Sequence, residues 1–174
     1  MKQLSRTFGV VCCLIFLSAC ASIAPIVDAD RELVVVHEVP GVTKDRMFES
    51  SKIWIAENFR SAKKVIEYEN KTDGVLIGNA SIKYPCSGIE CLAKNDWQAR
   101  FTMRVDMKDN RVKLTFTNIG LYWPPTFSAT MGASSGYDGP VNTQGDMTAI
   151  KGALHDTGNN LVKSLRVGKA DKNW

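Results

Sequence analysis

Histidine is nearly absent: His37 and His155 are the only two in 174 residues, far apart and remote from any Cys-x-x-Cys spacing. That scarcity takes away the commonest general base and the commonest zinc ligand, and no triad or four-ligand metal spacing is recognisable. A glycine-rich phosphate loop and a paired-carboxylate signature are missing too, so no cofactor, metal or catalytic residue is expected. Strong charge of one sign is also lacking, with 22 Lys and Arg against 18 Asp and Glu. So small an excess does not suit a nucleic-acid binder, whose affinity is dominated by phosphate contacts. Long apolar runs are lacking as well: Phe8 to Leu17 is about half of the ~20 residues a membrane-spanning helix needs.

What the first twenty residues do contain is a basic start at Lys2 and Arg6, that short apolar run, and Leu17-Ser18-Ala19-Cys20. The pattern is a signal peptide. Its end resembles the lipobox of bacterial lipoproteins, in which a cysteine after two small residues receives a diacylglyceryl group and becomes the mature N-terminus. The resemblance implies residues 1–19 as leader, Cys20 as the lipidation site and 20–31 as a lipidated tether. More than one acyl chain, at ~0.8 kcal/mol per buried CH₂, makes a stable anchor. In that family Asp directly after the cysteine retains the protein in the inner membrane; here the position is Ala21, which implies the outer membrane, with the domain in the periplasm. Because Lys2 and Arg6 leave with the leader, the mature charge falls to about +2.

Of the five cysteines, Cys12 and Cys13 lie in the leader and Cys20 takes the lipid, which leaves Cys86 and Cys91. An even pair in an oxidising compartment reads as a local disulfide. It would close a loop, Pro85 to Asp96, that has little apolar content, for roughly 2 kcal/mol of loop entropy.

Residues 32–167 read as one domain, with 168–174 as a tail. Leu33 to Val39 is Val-rich and stopped by Pro40-Gly41, which predicts a strand. Thr43 caps a helix to about Phe59, with Asp45 in its first turn and Met47, Phe48, Ser51, Trp54, Ile55, Phe59 and Ala62 on one side. Val65–Glu69 and Val75–Tyr84 follow as strands about the turn Lys71–Gly74, with Ile66, Tyr68, Leu76, Ala80 and Ile82 inward. The fourth strand alternates cleanly. Trp97, Ala99, Phe101, Met103, Val105 and Met107 share one face, and Gln98, Arg100, Thr102, Arg104, Asp106 and Lys108 the other. Asp109-Asn110 predicts a tight turn into a fifth strand carrying Val112, Leu114 and Phe116.

Gly120 to Asn142 reads as a long loop rich in Gly, Ser and Pro that holds Tyr122, Trp123, Phe127, Met131 and Tyr137. Such a loop is either a contact surface or a cover, with Trp123 and Phe127 over the sheet edge or the helix groove. Thr143 to Asp146 resembles a capping box, opening a helix with Met147, Ile150, Leu154, Leu161 and Leu165 on one stripe and an expected break near Gly158-Asn159-Asn160.

The order β-α-β-β-β-β-α buries its apolar faces as an α+β domain, both helices on one side of a five-stranded antiparallel sheet. Val36-His37-Glu38-Val39-Pro40-Gly41-Val42-Thr43-Lys44, Lys52-Ile53-Trp54-Ile55-Ala56-Glu57-Asn58-Phe59, Val65-Ile66-Glu67-Tyr68-Glu69 and Gly74-Val75-Leu76-Ile77-Gly78 carry a resemblance. Together they resemble an uncharacterised bacterial secreted family, a domain of unknown function with a TATA-binding-protein-like fold. The likeness covers about Leu33 to Gly120. It implies the fold and no catalytic residues, and it departs in the Cys86–Cys91 segment and the aromatic loop. The expected role is a non-enzymatic structural or binding module of the envelope, with the membrane as partner through the lipid anchor and an envelope protein as a candidate partner. Tyr122, Trp123 and Phe127 are the candidate contact residues. The alternatives are anion or lipid-headgroup binding on the basic sheet face, where Arg100 and Arg104 lie beside Lys108, Arg111 and Lys113, or an unrecognised envelope enzyme.

Overall fold

Two long strands of period-two sequence form the centre of the domain, and everything else is attached to them. The computed structural model describes residues 26, 28–59, 65–128 and 132–167. The leader, Cys20, most of the tether, Ala62, Met131 and the tail lie outside the described residues. Strand β4 (Gln98–Lys108) turns through Asp109-Asn110 into β5 (Arg111–Trp123). Asn110 takes φ 64°, a left-handed conformation that Asn tolerates better than most side chains. Its Oδ1 accepts from Gly41 N at 2.6 Å and Asp109 Oδ1 accepts from Lys44 N at 2.7 Å. The turn therefore fixes the connection from β1 (Leu33–Glu38) to α1 (Lys44–Asn58). Thr43 caps that helix by accepting from Arg46 N.

The sheet runs β1-β5-β4-β3-β2, antiparallel throughout, with β2 at Ile66–Asn70 and β3 at Val75–Lys83. A sixth strand, β8 (Tyr137–Pro140), also pairs with β5. It faces Gly120–Trp123, whereas β1 faces Arg111–Phe116, so β8 and β1 lie end to end along one edge of β5. The expected sheet of five strands thus has six among the described residues, and the described part of Gly120 to Asn142 is mostly strand and not loop. It finishes β5, forms a small hairpin of β6 (Thr126–Ser128) and β7 (Gly132–Ser134), and returns as β8.

One irregularity decides which aromatics face the core. The β4–β5 register slips between Arg100 and Thr102, opposite Asn118 at φ 52°. Before the slip the even residues Val112, Leu114 and Phe116 are buried; after it the odd residues Ile119 and Leu121 are. An extra residue in one strand reverses side-chain phase. Trp123 therefore points inward and Tyr122 outward. A second bulge between Ile66 and Tyr68 corrects the expectation for Tyr68, which is turned outward and half exposed. Leu76 is buried, and Ile66, Ala80 and Ile82 pack partly buried against the core.

Both long helices cover the same face, α1 over β4, and α3 (Gln144–Val167) over β1 and β5. Met47, Phe48, Ser51, Trp54 and Ile55 of α1 and Met147, Ile150, Leu154, Leu161 and Leu165 of α3 are buried as their spacing predicts. A short third helix, α2 (Glu90–Lys94), lies in the disulfide segment. No helix among the described residues is long and apolar enough to cross a membrane.

Helix α3 does not break at Gly158. That residue is buried, and a Cβ there would stand 2.9 Å from Leu114 Cδ1, so glycine serves the close approach of helix to sheet. Gly152 has open space where its Cβ would be. Gly152→Ala should therefore raise unfolding stability in urea by about 0.5–1 kcal/mol through helix propensity alone. Gly158→Val should lower it by about 1–3 kcal/mol through overpacking. Equal effects at both positions would contradict the packing account of Gly158.

Candidate functional site

The end of the sheet opposite the Asp109-Asn110 turn gathers most of the unusual side chains. Trp97, Trp123 and Tyr137 come from three neighbouring columns of the sheet, because Gln98 pairs with Tyr122 and Tyr137 with Trp123. Their rings stack face to face at 4.1 Å and 4.5 Å between centroids. Tyr84 meets Trp97 edge-on at 5.7 Å, and Lys94 Nζ lies 4.9 Å from the Trp97 centroid. The result is an aromatic column closed by a cation at one end.

Beside the column a polar cluster joins the disulfide segment to the start of α3. Lys94 Nζ is 2.6 Å from both Asp146 Oδ1 and Glu90 Oε1, and the Tyr84 hydroxyl donates to Asp146 Oδ1 at 2.5 Å. Asp146 is only 12% exposed and also accepts from Thr143 Oγ1, which caps the helix in return by accepting from Asp146 N. Burial and the hydrogen bond to Asp146 push the Tyr84 phenol up to about 12, in spite of Lys94. Burial would raise the Asp146 carboxyl, but donors from Lys94, Thr143 and Tyr84 and the Lys94 charge hold it below the usual carboxylate range. Burial would lower Lys94, and its carboxylate and phenol partners outweigh that and raise it. The phenol stays protonated and the ion pair stays charged near neutral pH, which is a latch and not a proton shuttle.

Cys86 and Cys91 are joined by a disulfide with Cα atoms 5.1 Å apart, and it closes the segment that carries Glu90 and leads to Lys94. The contact candidates of the sequence separate. Trp123 is sandwiched in the column; Tyr122 lies on the outer face with the Arg100 guanidinium 3.9 Å from its ring centroid; Phe127, on the β6–β7 hairpin, is 81% exposed. On the basic face Arg100 pairs with Asp138, Arg104 doubly with Asp106, Lys113 also with Asp106, and Arg111 with Glu38. Arg104 is thereby remote from the aromatic end that holds Arg100 and Tyr122.

His37 lies on the inward side of β1, its Nε2 buried without a partner, and burial with His155 and Arg166 nearby lowers its pKa. His155 meets Asn159 on its own helix. No cluster of three metal-binding side chains occurs among the described residues. Sequence reasoning missed Tyr84, Lys94 and Asp146 as a group. The end-of-strand position of Trp97 and Trp123 was a usable signal for the column, whereas nothing local pairs Lys94 with a residue 52 positions away.

The family described as "Domain of unknown function (DUF4468) with TBP-like fold" matches residues 35–122. Among solved structures, a TBP-like protein from Parabacteroides distasonis is similar with a TM-score of 0.57 and 14% identity, over 83% of this chain and 98% of that one. A DUF4468 family protein from Bacteroides ovatus aligns at a TM-score of 0.48 and 11% identity, over 84% and 90% of the two chains. The first likeness shows the fold alone. No curated protein matches the chain.

Two measurements test the site. Trp123→Ser should lower stability by about 2–4 kcal/mol, while Phe127→Ser should change it by less than about 0.5 kcal/mol; similar urea midpoints would contradict the column. For the latch, a carboxyl whose folded pKa is depressed contributes stability above its unfolded value, lost as pH falls through the folded one. The stability gap between the parent and Asp146→Asn should be open at about pH 6 and close below about pH 4. A gap independent of pH would show that the Asp146 charge contributes nothing.

Proposed function

The chain belongs to the DUF4468 family of TBP-like domains, and from that premise we propose that it is a lipid-anchored domain of the bacterial envelope, held on the membrane through Cys20 and acting as a non-enzymatic structural or binding module. The observation that carries this reading is the sequence Leu17-Ser18-Ala19-Cys20, six positions before Ile26, the first described residue, which packs on the core. A thioether-linked diacylglyceryl group and an amide-linked chain at one residue supply more than one hydrocarbon tail, enough for lasting attachment. Ala21 favours the outer membrane, with the domain in the periplasm.

Support for a module without chemistry comes from the way its ionisable groups are occupied. Tyr84, Glu90, Lys94 and Asp146 satisfy one another, and a phenol with a pKa near 12 is a poor base at neutral pH. The guanidinium groups of Arg100 and Arg104 already face carboxylates, which weakens the anion-binding alternative on the sheet face. Nucleic acid is disfavoured for the same reason and by the small net charge.

Expression of the full chain in a Gram-negative host tests the anchor. Cys20→Ala should accumulate as unprocessed precursor without acyl chains, whereas the parent should yield a shorter band that enters the detergent phase. A mature-size, detergent-partitioning band from Cys20→Ala would overturn the lipoprotein reading.

A further inference from the structure

We infer that Ile89, Leu92 and Phe127 form a membrane-resting face, dipping into the headgroup boundary of the bilayer that holds the Cys20 anchor. This inference rests on the anchoring reading above and adds the orientation of the domain. These three are the most exposed large apolar side chains of the described residues, at 85%, 85% and 81%; Val167, the next, is 62% exposed. Side chains of this size left in water forgo their burial free energy.

Topology puts all three at one end. Ile89 and Leu92 belong to the connection from β3 to β4, and Phe127 to the hairpin that follows β5. The strand ends beneath them are paired side by side, Lys83 with Gln98 and Gln98 with Tyr122. Their supports are stiff. The disulfide closes the segment around Ile89, the Lys94–Asp146 pair ties α2 to α3, and the Trp97–Trp123–Tyr137 column joins the roots of both loops. Ile89 and Leu92 are thus held outward.

The occupant follows from where the anchored end of the chain joins the fold. Arg31 reaches the Val141 carbonyl between β8 and α3, and Leu33 pairs antiparallel with Phe116, so the chain joins β5 near its middle, coming from the direction of Trp123. From Cys20 to Ile26 the backbone reaches at most ~20 Å even fully extended. The bilayer therefore lies within one short span of Ile26, and the loop end is the end of the sheet from whose direction the chain arrives. Half-buried Trp97, Trp123 and Tyr137 stand behind the apolar tips, the residue types that favour a lipid–water boundary. Lys94 and Arg100 are paired with acids here, so the face asks for apolar insertion and not for anionic lipid.

The mature lipoprotein leaves no other thiol, because Cys20 is acylated and Cys86 and Cys91 are bonded, so Phe127→Cys takes a single environment-sensitive fluorophore. The protein is reconstituted in phosphatidylcholine vesicles carrying acyl-chain spin labels, with Lys108→Cys at the opposite end as control. The probe at position 127 should be blue-shifted and quenched several-fold more than the probe at 108. Adding Ile89→Ser and Leu92→Ser should reduce that quenching. Equal quenching at 127 and 108, in protein that floats with the vesicles, overturns the inference while leaving the anchor intact. Quenching at 127 that ignores the two Ser substitutions overturns the shared face, and protein that fails to float overturns the anchoring reading itself. A blue shift that follows protein concentration in detergent, without lipid, assigns the face to a second copy of the chain and overturns it too.

Discussion

Burial of one face of the β4–β5 hairpin beneath two helices is the constraint from which the other features follow. Ala99, Phe101, Met103, Val105 and Met107 meet Val112, Leu114 and Phe116 across the hairpin, all buried. Because side chains alternate at period two, a slip of one residue anywhere in this pair would send that whole set to water. The two-residue turn sets the register at one end. Its side chains also receive the backbone of Gly41 and Lys44, so the position of α1 on the sheet is decided by the same turn.

The rest of the molecule adapts to that fixed register. The bulge at Asn118 lets β5 continue with reversed phase, and this alone turns Trp123 into the column and leaves Tyr122 beside Arg100. Gly158 makes the matching concession on the helix side, giving up intrinsic helix propensity for close contact with Leu114. The latch of Tyr84, Lys94 and Asp146 then connects a segment poor in apolar residues to the first turn of α3, where the carboxylate also answers the helix dipole.

What could be read in the sequence was whatever depends on neighbours along the chain. The Thr43 cap, the Asp109-Asn110 turn, the stripes of α1 and α3 and the alternation of β4 are local patterns, and they stand where their spacing put them. Tyr68 and Trp123 show the limit. Each belongs to an alternating run that a bulge shifts by one, and a bulge is specified by the partner strand. The stretch after Gly120 reads as a loop because Gly, Ser and Pro outnumber its strand formers, yet Tyr137 to Pro140 pairs on the strength of the edge that β5 offers. Glycine at position 158 of α3 likewise reads as a weak point of the helix, whereas its cause is a side chain more than forty residues earlier. For the site, the aromatic content was visible, but its division into one packed ring and one exposed ring was not.

The edge shared by β8 and β1 has a consequence for encounters between molecules. The two strands run in the same direction along β5, one from residue 137 and the other from residue 33, with Thr117 to Ile119 of β5 falling between them. A foreign strand approaching this side meets not one continuous ladder but two short ones, four and six residues long, interrupted where the backbone bends. Intermolecular pairing gains cooperativity with every consecutive residue, so a template broken in this way is a poor seed for growth of the sheet into a neighbour. Splitting one edge between distant parts of the chain thereby works as a guard against aggregation, independent of any charge on the strands.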